Sequence, residues 1–286
     1  LISPDFLYLA EPAGKKNRKL TSWELAARLS YFLWSTMPDD QLFKLAETGE
    51  LLNPKMLTAQ VDRMIDDDRA WQFVDQFADQ WLNLGGMDRV AISQHYYPDF
   101  NYGLKPHLRN ETLNFFMTLL RKNRSARHFV ESDFTMLNEP LARHYGIEDV
   151  LGYNFREVAL PTESHRGGLL TQGSILLTNS TGEDSHPIKR AVWLRRRLLD
   201  DPPDPPPPNV PELASENPGF AKLSIRKQLE IHLEDPACAS CHRDIDPWGI
   251  ALENFDAVGL WRDEVRRKAG KKFETQPVNA SDVFPS

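Results

Sequence analysis

"LTSWELAARLSYFLW", Leu20 to Trp34, decides how the first half of this chain is read. Thr21 and Glu24 stand three residues apart, the spacing of a capping box, in which each side chain takes up the other's unpaired backbone N–H. Trp23, Leu25, Ala26, Leu29, Phe32 and Leu33 then recur at helical spacing. The stretch therefore predicts a helix with an aromatic, core-facing stripe.

Further helices follow on similar signals. "PDDQLFKLAETG" reads as a short helix with Pro38 in its first turn and Gly49 closing it. Asn53-Pro54 opens a third, with Met56, Leu57, Val61, Met64 and Ile65 on one face. Trp71, Phe73, Val74, Phe77, Ala78, Trp81 and Leu82 mark a fourth, expected to stop at Gly85-Gly86. "LKPHLRNETLNFFMTLLRKN" is a fifth, and "LNEPLARHYGI" a sixth between Asn138 as cap and Gly146 as stop. "YNFREVALP", Tyr153 to Pro161, is the best strand candidate. "HRGGLLTQGSILLTNS" suits a buried helix entered through Gly167 and Gly168, and "SHPIKRAVWLRRRLL" a helix with Pro187 near its start and cations near its end. "DDPPDPPPPNVP" breaks the pattern as a polyproline strap or stiff linker. "LSIRKQLEIHLEDPACASCH" reads as one helix running into the chain's two cysteines. No internal repeat is visible. The fold expected is mainly α. A helical domain (1–160) leads to a two-helix segment with the proline-rich strap (161–218), and a small C-terminal haem module (219–286) packs against that body.

Composition limits the function. Of 286 residues, 41% are hydrophobic, which supports a real core. The net charge is -7, which argues against a nucleic-acid role. The cluster Arg195-Arg196-Arg197 reads as a solvated helix face. No apolar run is long enough to span a membrane. The chain starts at Leu1 without Met and ends in polar "QPVNASDVFPS", so it is read as a fragment or processed product, and no signal segment is legible.

The chemistry concentrates in Cys238-Ala-Ser-Cys241-His242. C-x-x-C-H is the pattern of covalent haem attachment. Two thiols about one helical turn apart reach the two vinyl groups on one porphyrin edge, each S–H adding across a C=C bond. The adjacent imidazole then falls beneath the iron. Other uses of the pair are a thioredoxin-like redox site, half a zinc site and a local disulfide. The first wants a strand before it. The second wants further Cys or His ligands, and His232 is the one nearby. The third is strained between residues three apart.

Two longer stretches carry a resemblance. They are "RGGLLTQGSILLTNS…SHPIKRAVWLRRRLLDDPPDPPPPNVPEL" and "LEDPACASCHRDIDPWGIALENFDAVGLWRDE". Both resemble the linked uncharacterised domains of a large cytochrome c family abundant in planctomycetes and their relatives. "LTSWELAARLSYFLWSTMPDDQL" and "FTMLNEPLARHYGI" are similar to the helical domain that precedes them. The resemblance implies one covalent haem c, an extracytoplasmic (periplasmic) setting, Cys238 and Cys241 as thioether anchors and His242 as axial ligand. It implies no particular reaction. Within it, Asp246-Pro247 is expected to end the haem helix, Gly249 to permit close backbone approach, and Phe255 and Trp261 to pack on the porphyrin.

No His or Met follows His242. A sixth iron ligand must then come from upstream, or the position is open. His186, in a polar loop at a helix start, is the first candidate and His165 the second. His232 lies so close to the motif that reaching the opposite haem face looks awkward. His95, His107, His128 and His144 suit surface or capping roles, and Met87 and Met136 are possible soft ligands. Asp66-Asp67-Asp68 and Glu183-Asp184 read as solvated turns rather than cation sites. The leading expectation is one-electron transfer with a redox partner protein or a small-molecule donor or acceptor. A haem oxidoreductase acting on a small molecule, carbohydrate or peroxide would need an open sixth position with Arg166 or Arg190 beside it. A binding or scaffold module with structural haem is the third reading.

Overall fold

The computed structural model describes residues 18–205, 223–234, 236–269 and 272–281. Most of the proline-rich strap, and the start of the C-terminal module at 219, lie outside the described residues. The protein is mainly α-helical, with two small two-stranded sheets. By contacts it divides into two compact units, Leu1–Phe73 and Val74–Ser286.

The first unit holds α1 (Ser22–Trp34), α2 (Asp40–Thr48) and α3 (Pro54–Asp66). The capping box at α1 is formed: Thr21 Oγ1 accepts from Glu24 N–H, and Glu24 accepts from Thr21 N–H at 2.8 Å. Asp39 caps α2, so Pro38 stands outside that helix rather than in its first turn. Gly49 ends it at φ 73°, a left-handed conformation that glycine adopts without a Cβ clash. Asn53 and Pro54 open α3 as the sequence predicts. Trp34 is the hub. It is 2% exposed, its indole N–H donates to Met64 O at 2.9 Å, and the Arg69 guanidinium lies over its ring. The aromatic stripe of α1 is only partly core, because Trp23 and Phe32 remain more than half exposed.

The second unit carries the site. α4 (Trp71–Leu82) ends at Asn83, in a left-handed conformation, two residues before the expected glycine stop. α5 (Lys105–Arg121) is the long central helix, and Asn138 and Gly146 cap α6 (Glu139–Tyr145) as read from sequence. β1 (Phe134–Leu137) pairs antiparallel with β2 (Arg156–Ala159); the second was expected and the first was not. α7 (Gly173–Thr178) is buried almost throughout, and α8 (Pro187–Arg197) starts at His186. The core of this unit joins Met87, Leu108, Leu141, Leu177 and Val258, drawn from widely separated parts of the chain.

The expected single helix into the cysteines is two. α9 (Ile225–His232) stops, and α10 (Pro236–Ile250) begins at a proline. A residue before proline is pushed out of the helical region, and proline itself fits a first helical position. Pro247 does not end α10, contrary to the sequence reading; it lies inside the helix, which runs on to Ile250. Proline there removes one backbone donor close to the C-terminus, and its ring is buried. α10 packs on α8 through Gly249, where a Cβ would collide with the Pro187 carbonyl. The hairpin β3 (Glu264–Ala269) and β4 (Lys272–Pro277) completes the described chain and was not foreseen.

Candidate functional site

α10 presents Cys238 half-buried, Cys241 exposed and His242 half-buried. The cysteines are thiols with no disulfide between them. Residues three and four apart lie on one helix face, so Cys238, Cys241 and His242 share a side of α10. One turn further on stands Asp246, only 3% exposed, with Oδ1 2.8 Å from His242 Nδ1. A carboxylate oxygen accepts, so His242 donates from Nδ1, and in the neutral ring Nε2 then keeps its lone pair. That is the tautomer an imidazole needs to ligate a metal through Nε2, held by the carboxylate partner that metal-binding histidines commonly have. The other oxygen, Asp246 Oδ2, is buried with no hydrogen-bond partner among the described residues.

A cavity of about 280 Å³ opens beside His242, between α9 and α10. Leu229, Leu233, Pro247 and Ile250 give it apolar walls, and Arg226 and Arg243 line it as well. This volume falls just under the usual range for ligand pockets, about 300–1,000 Å³. The fit to haem is therefore specific but partial. Two thiols, an oriented imidazole, apolar walls and Arg243 are present, in a space sized for one edge of a macrocycle; Arg226 is paired with Glu230, which also lines the cavity. Among the described residues, no group of three or more His, Cys, Asp or Glu side chains is arranged to hold a metal ion directly.

The other residues singled out from sequence are distributed unevenly. The imidazole that meets His242 is His232, at the end of α9: ring centroids are 4.7 Å apart at 78°. His186 caps α8, with its Nδ1 accepting from Lys189 N–H. Burial and then the nearby Lys189 and Arg190 push its pKa down to about 4. Among the described residues no contact joins it to Cys238, Cys241 or His242. Phe255 is buried and meets Trp261 edge-on at 5.2 Å, while Trp261 stacks on His165 at 3.9 Å. This aromatic group does not line the cavity beside His242. Arg190 is 2% exposed and donates to the carbonyls of Leu252, Phe255 and Asp256, each at 2.7 Å. Arg166 donates to Thr171 O and Gly259 O and lies over the Tyr145 ring. Both arginines thus fasten backbone. Asp67 caps a turn and pairs with Arg69, and Asp184 pairs with Arg262 at 2.7 Å.

One buried group escaped the sequence reading. Glu111, on α5, accepts from Thr135 Oγ1 and from Tyr145 OH, both at 2.7 Å, and Tyr145 OH in turn accepts from Gly173 N–H. Burial raises the Glu111 pKa to about 7 and pushes that of Tyr145 well up. Its partners lie on other elements, and only the apolar neighbours of Glu111 in "NETLNFF" hinted at burial.

Fold and motif together define a mainly helical protein with a C-x-x-C-H sequence at the start of a helix packed on the body of its second unit. Two family models match it. Residues 20–147 match PSD4, a protein of unknown function (DUF1592), and residues 166–265, which include Cys238 to His242, match PSCyt3, a protein of unknown function (DUF1588). The chain thus carries two uncharacterised domains that belong to the planctomycete cytochrome c-type family. No curated protein and no solved structure matched it.

Proposed function

We propose that the protein is an extracytoplasmic c-type haem protein that relays single electrons. The observation that carries this reading is the Asp246–His242 pair beside two thiols on one face of α10. Cys238 and Cys241 would hold the group by thioether bonds and His242 by Nε2. When bound, a haem supplies a one-electron iron couple. Asp246 fixes the His242 tautomer and makes the imidazole a stronger donor, which favours the ferric state. Leu229, Leu233 and Ile250 exclude water from one side. Arg243 would supply positive charge for a propionate, Arg226 being paired with Glu230. An electron is taken from a reduced partner and passed to an oxidised one, with no net chemistry left on the chain.

If a second imidazole held the haem, His232 would be the candidate beside His242, whereas His186 is spent on the Lys189 N–H. The oxidoreductase reading is weaker, because Arg166 and Arg190 are both committed to backbone carbonyls. The test is the absorption spectrum of protein matured with a haem-attachment system, with a pyridine haemochrome assay. A low-spin spectrum that turns high-spin in His232→Ala and stays low-spin in His186→Ala supports the proposal. A high-spin, cyanide-responsive wild type supports the enzyme instead, and absence of covalent haem sinks both.

A further inference from the structure

A second cavity of the second unit lies away from the cysteines. It measures about 670 Å³, within the range of small-molecule sites, and lies between the start of α5, α6 and Tyr153. Its two histidines have their tautomers set from behind. Asn138 caps α6 through Oδ1, which leaves its amide NH2 to donate to His107 Nδ1 at 2.8 Å. His107 therefore offers an N–H at Nε2. His144 Nε2 lies 2.9 Å from Val258 O, an oxygen that can only accept, so His144 offers a lone pair at Nδ1. Neither outward atom has a protein partner among the described residues. Burial lowers the pKa of both rings, which keeps them neutral.

The rest of the lining is nearly balanced in charge. Glu139 and Arg143 pair with each other at 2.8 Å, leaving Asp99 as the unbalanced charge. Tyr153 stands over the cavity 77% exposed, the most exposed large apolar residue described, although its backbone carbonyl is tied to Asn138. An aromatic face at the mouth of a cavity that mixes apolar walls (Leu104, Pro140, Leu260) with a few polar groups is a platform for the flat, C–H-rich face of a ligand. A fixed donor and a fixed acceptor, both neutral, match hydroxyl groups, each of which can donate and accept. Anions find no free cation here, and a divalent metal finds no ligand set.

We infer that this groove binds a neutral, hydroxyl-rich ligand of the sugar class, with Tyr153 as the stacking platform and His107 and His144 as hydroxyl-reading groups. The inference stands independently of the haem reading. The test is calorimetric titration of the whole chain with glucose, xylose, cellobiose and xylobiose, and with inorganic phosphate and acetate as anionic controls. Saturable binding of at least one neutral sugar is expected, weakened at least tenfold in Tyr153→Ala, whose ring is mostly exposed and meets His107, and in His144→Phe. Thermal melts accompany each variant so that a folding defect is recognised. Failure of all four sugars to bind, equal binding of the anions, or unchanged binding by a folded Tyr153→Ala would overturn it.

Discussion

Arg190 on α8 and Asp246 on α10 are both charged, both almost fully buried, and borne by helices that pack on each other. Their surroundings differ. Arg190 spends both terminal nitrogens on three carbonyls of the segment just after α10, with only Nε left over. Arg262 adds bonds to Asp184 and Ser185, and His144 holds Val258. That region is clamped from several directions, as a buried charge in a structural role should be. Among the described residues, Asp246 instead has one hydrogen bond, to His242, and one oxygen left over. Burying a carboxylate so thinly satisfied is costly. The difference separates a region built to hold the chain closed from one built to hold an imidazole.

Four substitutions test that contrast, from the largest expected effect down. Arg190→Met removes a cation from three buried carbonyls and should cost roughly 3–5 kcal/mol, read by urea unfolding. A loss under 1 kcal/mol would break the structural half of the comparison. Glu111→Gln should flatten the pH dependence of stability. The folded pKa of Glu111 is raised to about 7, above its ordinary 4.5. Its protonated form is thus favoured by folding, and that contribution is complete below about pH 4.5 and lost as pH climbs to about 7. The wild type should lose on the order of 3 kcal/mol from this group between pH 4 and 8, and the variant should not. Gly249→Ala pushes a methyl into the Pro187 carbonyl and should cost about 1–3 kcal/mol. Asp246→Asn should change stability by less than about 1 kcal/mol, because the amide oxygen still accepts from His242. In haem-loaded protein it should raise the reduction potential, as the imidazole becomes a weaker donor. A large stability loss with an unmoved potential would make Asp246 another clamp.

The sequence was most legible where structure is local. The capping box at Thr21 and Glu24, Asn53-Pro54 before α3, and the Asn138 and Gly146 caps of α6 all act within a few residues of themselves. The mainly helical class follows from them. Reading ran out where partners are distant. Glu111 finds Tyr145 34 residues away, and the Arg190 contact with Phe255 spans 65. Proline misled at two nearby points: Pro236 starts a helix that looked continuous, and Pro247 sits within one that looked finished. The cysteines and His242 were named from their spacing alone. Asp246 was legible only as a turn residue, because its role depends on the helix continuing through Pro247. The contact of His232 with His242 depends on the break between α9 and α10.

The most direct test of the central claim is the intact mass of the protein matured in a compartment with a haem-attachment system. The expected mass is that of a chain carrying one covalent haem, absent from the Cys238→Ser, Cys241→Ser double variant. A wild-type mass equal to that of the bare polypeptide would contradict it.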